Sequence, residues 1–169
     1  AAHNGNHGLL FGIVQGGFDA ALRRQAARFI ISQDVGGYAI GGLSVGERKV
    51  VTYEMLDHVI SLLSFDRPRH LLGMGSPEDL VEGVARGVDL FDCALPTRVA
   101  RTGAFFTLDG RINITAARFR LQSDPVEEGC ECTACQKFSA AYLHHLFKVN
   151  ELLGYRLATL HNLRFVFRL

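Results

Sequence analysis

Residues 88 to 98 read V-D-L-F-D-C-A-L-P-T-R, an apolar run that stops in a carboxylate and a thiol, Asp92 and Cys93. Either group can act as a nucleophile: a carboxylate bonds to a cationic carbon and is later displaced, while a thiolate attacks acyl and redox centres. Further along, G-C-E-C-T-A-C-Q sets Cys130, Cys132 and Cys135 at C-x-C-x2-C spacing. Three thiolates that close together suit one tetrahedral ion, zinc first, and a fourth ligand is needed to complete the site. His161 on a following helical stripe competes for that place with His144 and His145. A histidine on an apolar stripe is more often a satisfied core residue than a ligand. A closed Cys3His site has no position for water, so it should build structure and leave chemistry to other residues.

The elements that must position these groups alternate as far as about residue 92. Strand-like runs at 9–15, 37–43, 70–75 and 88–92 are separated by helical patterns. Leu22, Ala26, Phe29 and Ile30 recur at helical spacing in the first, and Leu56, Val59, Ile60 and Leu63 in the second. The third helix opens S-P-E-D, with Ser76 as N-cap and Pro77 at the first helical position, and Gly87 fits its end. The nearly continuous apolar strands imply a parallel sheet buried on both faces. Four such repeats make half of a (β/α)8 barrel or a small doubly wound sheet. Glycines 16, 17, 41, 42, 73 and 75 follow the strands, at the end where barrel active sites sit. From about 97 the sequence alternates and turns at Asp109-Gly110, a hairpin signal whose segment carries Arg98, Arg101, Arg111, Arg118 and Arg120. That cluster suits phosphate contacts or a merely solvated face. After Thr133 a helix should show Phe138, Ala141, Tyr142 and Val149 on one face, and a second should align Leu153, Leu157 and His161.

Composition narrows the classes. With 169 residues, 48% of them hydrophobic, the chain can bury a core of single-domain size. Eighteen basic and seventeen acidic side chains leave a net charge of +1, so a polyanionic partner must meet a local patch. No apolar run of about 18 residues and no charged-then-apolar leader is present, which argues against a membrane partner and for a reducing, cytoplasmic setting. The opening A-A-H-N-G-N-H-G reads like the middle of a longer chain.

Together, F-G-I-V-Q-G-G, G-G-L-S-V-G-E, D-L-F-D-C-A-L-P-T-R and C-E-C-T-A-C…H closely resemble bacterial tRNA-guanine transglycosylase, over the C-terminal half of that enzyme. The resemblance implies the C-terminal half of a (β/α)8 barrel with an inserted β-hairpin over 1–120, and a zinc-binding helical subdomain over 121–169. It implies exchange of the wobble guanine in G-U-N anticodons for a 7-deazaguanine base, within queuosine biosynthesis. Asp92 matches the nucleophile that holds the RNA as a glycosyl ester, chemistry shared with retaining glycosidases. Gln15 and the backbone of Gly42 match groups that pair the purine edge. Leu43 matches the residue whose carbonyl meets the incoming aminomethyl group, and Glu47 an acid steadying the neighbouring peptide. Leu72 stands where a methionine commonly packs on the base. Val45, glycine in the eukaryotic catalytic subunit, points to 7-aminomethyl-7-deazaguanine (preQ1). Arg98 and Arg101 match the segment contacting the tRNA anticodon loop. Cys130, Cys132, Cys135 and His161 match the ligands of one structural zinc ion.

The same resemblance assigns the general acid/base, a second purine-recognising aspartate and a stacking aromatic to the half this chain lacks. The chain alone is therefore expected to be inactive and to associate, and the complete enzyme to form a homodimer. The competing expectation is a non-catalytic, zinc-containing RNA-binding subunit, which has no need of a carboxylate at position 92.

Overall fold

The computed structural model describes residues 8–169, so all of the opening segment discussed above except Gly8 lies outside the described residues. Two compact units divide between Cys93 and Ala94. The division has a packing cause. Phe105, Ile114 and Phe119 of the arginine-bearing segment share one core with the three clustered cysteines, so that segment belongs with them.

In the first unit, β1 (Phe11–Val14), α1 (Ala20–Ile31), β2 (Gly37–Ile40), α2 (Lys49–Ile60), β3 (Arg69–Leu72), α3 (Pro77–Arg86) and β4 (Leu90–Asp92) follow in order. The four strands pair in the order β1-β2-β3-β4, all parallel, so each helix is a crossover between neighbours. Ser76 caps α3 by accepting from the Asp79 N–H, and Gly87 ends it at φ +98°. Leu56, Val59, Ile60 and Leu63 are buried as their spacing predicts, against Val14, Tyr38, Ile40 and Leu71 of the sheet. Full burial of such side chains contributes about 1.5–3 kcal/mol each.

Two expectations need correction here. Leu22 and Phe29 of α1 are exposed, and the face turned inward carries Arg23 and Ala27 with Ala26 and Ile30 beside them. Second, the sheet is not covered on both faces by the described residues. Register places Ile13, Ala39, His70 and Leu90 side by side on the face away from the helices, and Ile13 and Leu90 are 48% and 45% exposed.

The second unit starts with α4 (Leu95–Ala100), where an alternating strand was expected; Pro96 in its first turn needs no N–H partner there. The hairpin β5 (Ala104–Thr107) and β6 (Gly110–Asn113) turns through Leu108 and Asp109. A 3-10 turn (Ala117–Leu121) leads to α5 (Thr133–Lys137), α6 (Ala140–Lys148) and α7 (Leu152–Arg168). The single helix expected after Thr133 is broken: Phe138 is extended, and Ser139 caps a new helix by accepting from the Tyr142 N–H. Leu143, Leu146 and Phe147 form its packed face, whereas Tyr142 and Val149 lie outside.

Candidate active site and metal cluster

Strand pleating and register bring His70, Leu72 and Asp92 to one face. Side chains two apart on a strand share a face, and Leu72 pairs in register with Asp92. His70, Leu72 and Asp92 therefore project from the open face, towards the C-terminal edge of the sheet. Asp92 is exposed, its side chain at 61%. One carboxylate oxygen, Oδ1, lies 2.9 Å from His70 Nε2 and accepts from the Gly73 N–H at 3.4 Å. Cys93 is half-buried, its Sγ 3.7 Å from the Gly73 carbonyl and its Cβ filling the space a side chain at Gly75 would need. Asp89 is committed elsewhere: its Oδ2 accepts from the Arg69 N–H at 2.8 Å and pairs with Nε at 3.3 Å.

At the other side of the sheet, the Gln15 side chain lies across the Gly41-Gly42 backbone, so closely that a Cβ at Gly42 would overlap its Oε1. Gly42 is exposed at φ +67°, a left-handed conformation that glycine adopts without strain. The Leu43 side chain is buried. Glu47 accepts from the N–H groups of Ser44 and Val45 and from the Thr52 hydroxyl. Burial would raise its pKa, but the Thr52 hydroxyl and the backbone N–H groups outweigh that and hold it below the ordinary value. Val45 itself is exposed.

Beneath this turn, the Arg23 side chain has no exposed surface, yet it carries a guanidinium. Nε donates to the Gly17 carbonyl at 2.6 Å, and Nη2 to the Gly41 and Gly42 carbonyls at 3.1 and 3.2 Å. Neither His70 nor Arg23 stood out in the sequence. Alternation along β3 would have flagged His70 as a same-face neighbour of Leu72; nothing local marks Arg23.

In the second unit, Cys130, Cys132, Cys135 and His161 are all buried, and their ligand atoms lie within 4.8 Å of one another. His161 Nδ1 is 3.8, 3.5 and 3.4 Å from the three sulfurs in chain order. A tetrahedral ion with ordinary Zn–S and Zn–N bonds needs edges of about 3.6 Å, so the four donors fit one such ion. His161 Nε2 donates to the Phe106 carbonyl at 2.7 Å, which leaves Nδ1 with the lone pair that a ligand requires. His144 is engaged elsewhere, 2.8 Å from the Ile114 carbonyl, and His145 is exposed; neither joins the cluster. The Cys132 thiol is pushed down chiefly by its hydrogen bond with Cys135, with help from His161, while the same bond pushes Cys135 up.

Asn162, the next residue, is fully buried and ties the unit together. It donates to the carbonyls of Pro96 and Ala104 at 3.0 and 2.9 Å and accepts from the Phe106 N–H at 3.0 Å. Arg98 therefore rides on a helix held by α7, with Arg101 at its end; both are exposed, as are Arg111, Arg118 and Arg120. Among the described residues no helix is long and apolar enough to cross a membrane.

A family model described as Queuine tRNA-ribosyltransferase matches residues 1–169. The protein of that name from Herpetosiphon aurantiacus is 59% identical over 160 residues, covering 95% of this chain and 41% of that protein. Its counterpart in Dehalococcoides mccartyi is 54% identical over 98% of this chain and 42% of its own length. For Thiobacillus denitrificans the figures are 53%, 100% and 46%. The chain thus spans less than half the length of the curated relatives it matches, and it belongs to the queuine tRNA-ribosyltransferase family.

Proposed function

We propose that this chain is part of a tRNA-guanine transglycosylase that replaces the wobble guanine of G-U-N anticodons with 7-aminomethyl-7-deazaguanine. Its four-stranded sheet is then one half of a (β/α)8 barrel, and its open face is the barrel interior. The observation that carries the reading is the register pairing of Leu72 with Asp92, which sets an exposed carboxylate beside an apolar floor at the C-terminal edge of the sheet. Asp92 attacks the ribose anomeric carbon as the bond to guanine N9 breaks, giving a glycosyl ester and a guanine that takes up a proton. The incoming base then attacks the same carbon through its N9 as the ester bond to Asp92 breaks, gives up its own N9 proton, and returns Asp92 as carboxylate. The proton carrier belongs to the half of the barrel outside this chain. Gln15, Gly42 and the Leu43 carbonyl read the base, and Glu47 holds the peptides beside them. A site that pairs a base edge rejects purines that leave its buried polar groups unmatched.

Cys130, Cys132, Cys135 and His161 would hold one zinc ion, which supplies cross-linking of the second unit and no reaction step. Arg98 and Arg101 contact the anticodon loop, whose unstacked bases are what RNA readers favour. The complete enzyme works as a cytoplasmic homodimer, and the exposed Tyr142, stacked on Phe138 at 5.3 Å between ring centroids, offers apolar surface for that contact. The test uses the complete protein carrying this sequence and a labelled G-U-N tRNA. The unmodified protein should exchange guanine and leave an RNA adduct that survives denaturation, and Asp92→Asn should abolish both. Exchange that persists at the wild-type rate in Asp92→Asn overturns the assignment.

A further inference from the structure

Arg23 presents a problem that the proposed chemistry leaves unexplained. Burying a guanidinium costs several kcal/mol unless its donors and charge are matched. Here every hydrogen-bond acceptor found for it is a backbone carbonyl, and all three belong to the two glycine turns, Gly16-Gly17 and Gly41-Gly42. Nη1 finds no hydrogen-bond partner among the described residues. A residue kept for stability alone would more simply be an aliphatic side chain, like its neighbours in the same core.

Local geometry shows what the arginine controls. A Cβ at Gly16 would meet the Arg23 backbone nitrogen at 2.7 Å, so the first turn is seated directly on the start of the arginine side chain. A Cβ at Gly41 would meet Gln15 Nε2 at 2.7 Å, so the glutamine lies against the turn whose carbonyls the guanidinium holds. The far side of that turn is held by opposite charge, since Glu47 accepts from the N–H groups of Ser44 and Val45. Carbonyls are drawn down to a cation and amides to an anion, which fixes the turn's peptide planes from both polarities. Gly42 at φ +67° and Ser44 at φ +59° keep left-handed conformations within that clamp.

Resting on the function proposed above, we infer that Arg23 is a positioning residue for purine recognition, setting Gln15 and the Gly42 backbone at the spacing that a guanine-type edge requires. It touches no substrate and acts through the two turns.

The test compares unmodified, Arg23→Lys and Arg23→Gln forms of the complete protein, after thermal unfolding has established which of them fold. Lysine keeps the charge but cannot bridge both turns, so the apparent KM for guanine should rise about tenfold and discrimination between guanine and hypoxanthine should fall by about the same factor. The kcat at saturating base and the KM for tRNA should stay near their original values. A purely structural role would lower kcat through a smaller active fraction and leave KM and discrimination unchanged, and that result overturns the inference alone. If neither variant folds, the residue is required by the fold itself and the inference is likewise overturned. If the unmodified protein exchanges no guanine, the proposed function fails and takes this inference with it.

Discussion

At the scale of single residues, the amide side of the turn over 41–47 is held by one carboxylate. Glu47 has its pKa held below the ordinary value, so its folded-state bonds are complete above about pH 4.5 and are lost as pH falls through the depressed value. The amide resonances of Ser44 and Val45 should therefore titrate together below pH 4.5, and Glu47→Gln should remove that titration. Retention of the step in Glu47→Gln would show that another group holds these amides. The cysteine cluster was legible in the sequence because its chemistry depends on residue type and short spacing, whereas the resemblance was needed to prefer Asp92 over Cys93 and His161 over His144 and His145. Arg23 and His70 were not legible. A buried arginine counts as polar in any hydropathy pattern, which is why Leu22 and Phe29 were expected inside and lie outside. The partner of His70 is 22 positions away and is set by sheet register, which short-range spacing does not contain.

At the scale of elements, α7 is held by the cluster at one residue and by Asn162 at the next. Free energy of metal binding to such a set is folding free energy. The purified chain should carry one metal ion, zinc by elemental analysis, and Cys135→Ser should carry almost none. Chelation should melt helical signal and lower the thermal midpoint; full helicity without metal would show that packing alone suffices. Asn162→Ala leaves the Pro96 and Ala104 carbonyls and the Phe106 N–H unmatched in a buried setting, an expected loss of about 2–4 kcal/mol in denaturant unfolding. A loss under about 0.5 kcal/mol would mean that water replaces the amide. Among elements, the caps at Ser76 and Gly87 and the hairpin were legible because turn and cap chemistry is local. The helix α4 was not: at six residues it is too short for a periodic signal, and R-V-A-R-T-G alternates well enough to imitate a strand. The break at Phe138 escaped for a related reason, because aromatic residues at helical spacing look alike whether or not anything covers them.

For the molecule as a whole, the decisive feature is a sheet covered on one side. Continuous apolar strands suggested two covered faces, and that inference from composition is sound for a complete fold. The described residues cover only one, leaving Ile13 and Leu90 on view and the outer edges of β1 and β4 unpaired within the sheet. Unpaired edges and exposed apolar strands promote association. Sedimentation of the 169-residue chain should show concentration-dependent self-association, and Ile13→Lys should suppress it. In the complete protein the same substitution should act in the opposite sense, lowering stability by about 3 kcal/mol or more because the lysine then sits in a closed interior. An equal, mild effect in both settings would mean that the face stays wet and the barrel reading is wrong.

His161 and Asn162 are consecutive, one turned to the sulfur cluster and the other to the hairpin and the helix bearing Arg98. Adding or deleting one residue ahead of this pair would rotate both by about 100° at once. The phase of α7 is pinned twice, so a change that turns the helix disturbs the sulfur cluster and the bearing of the arginine helix together.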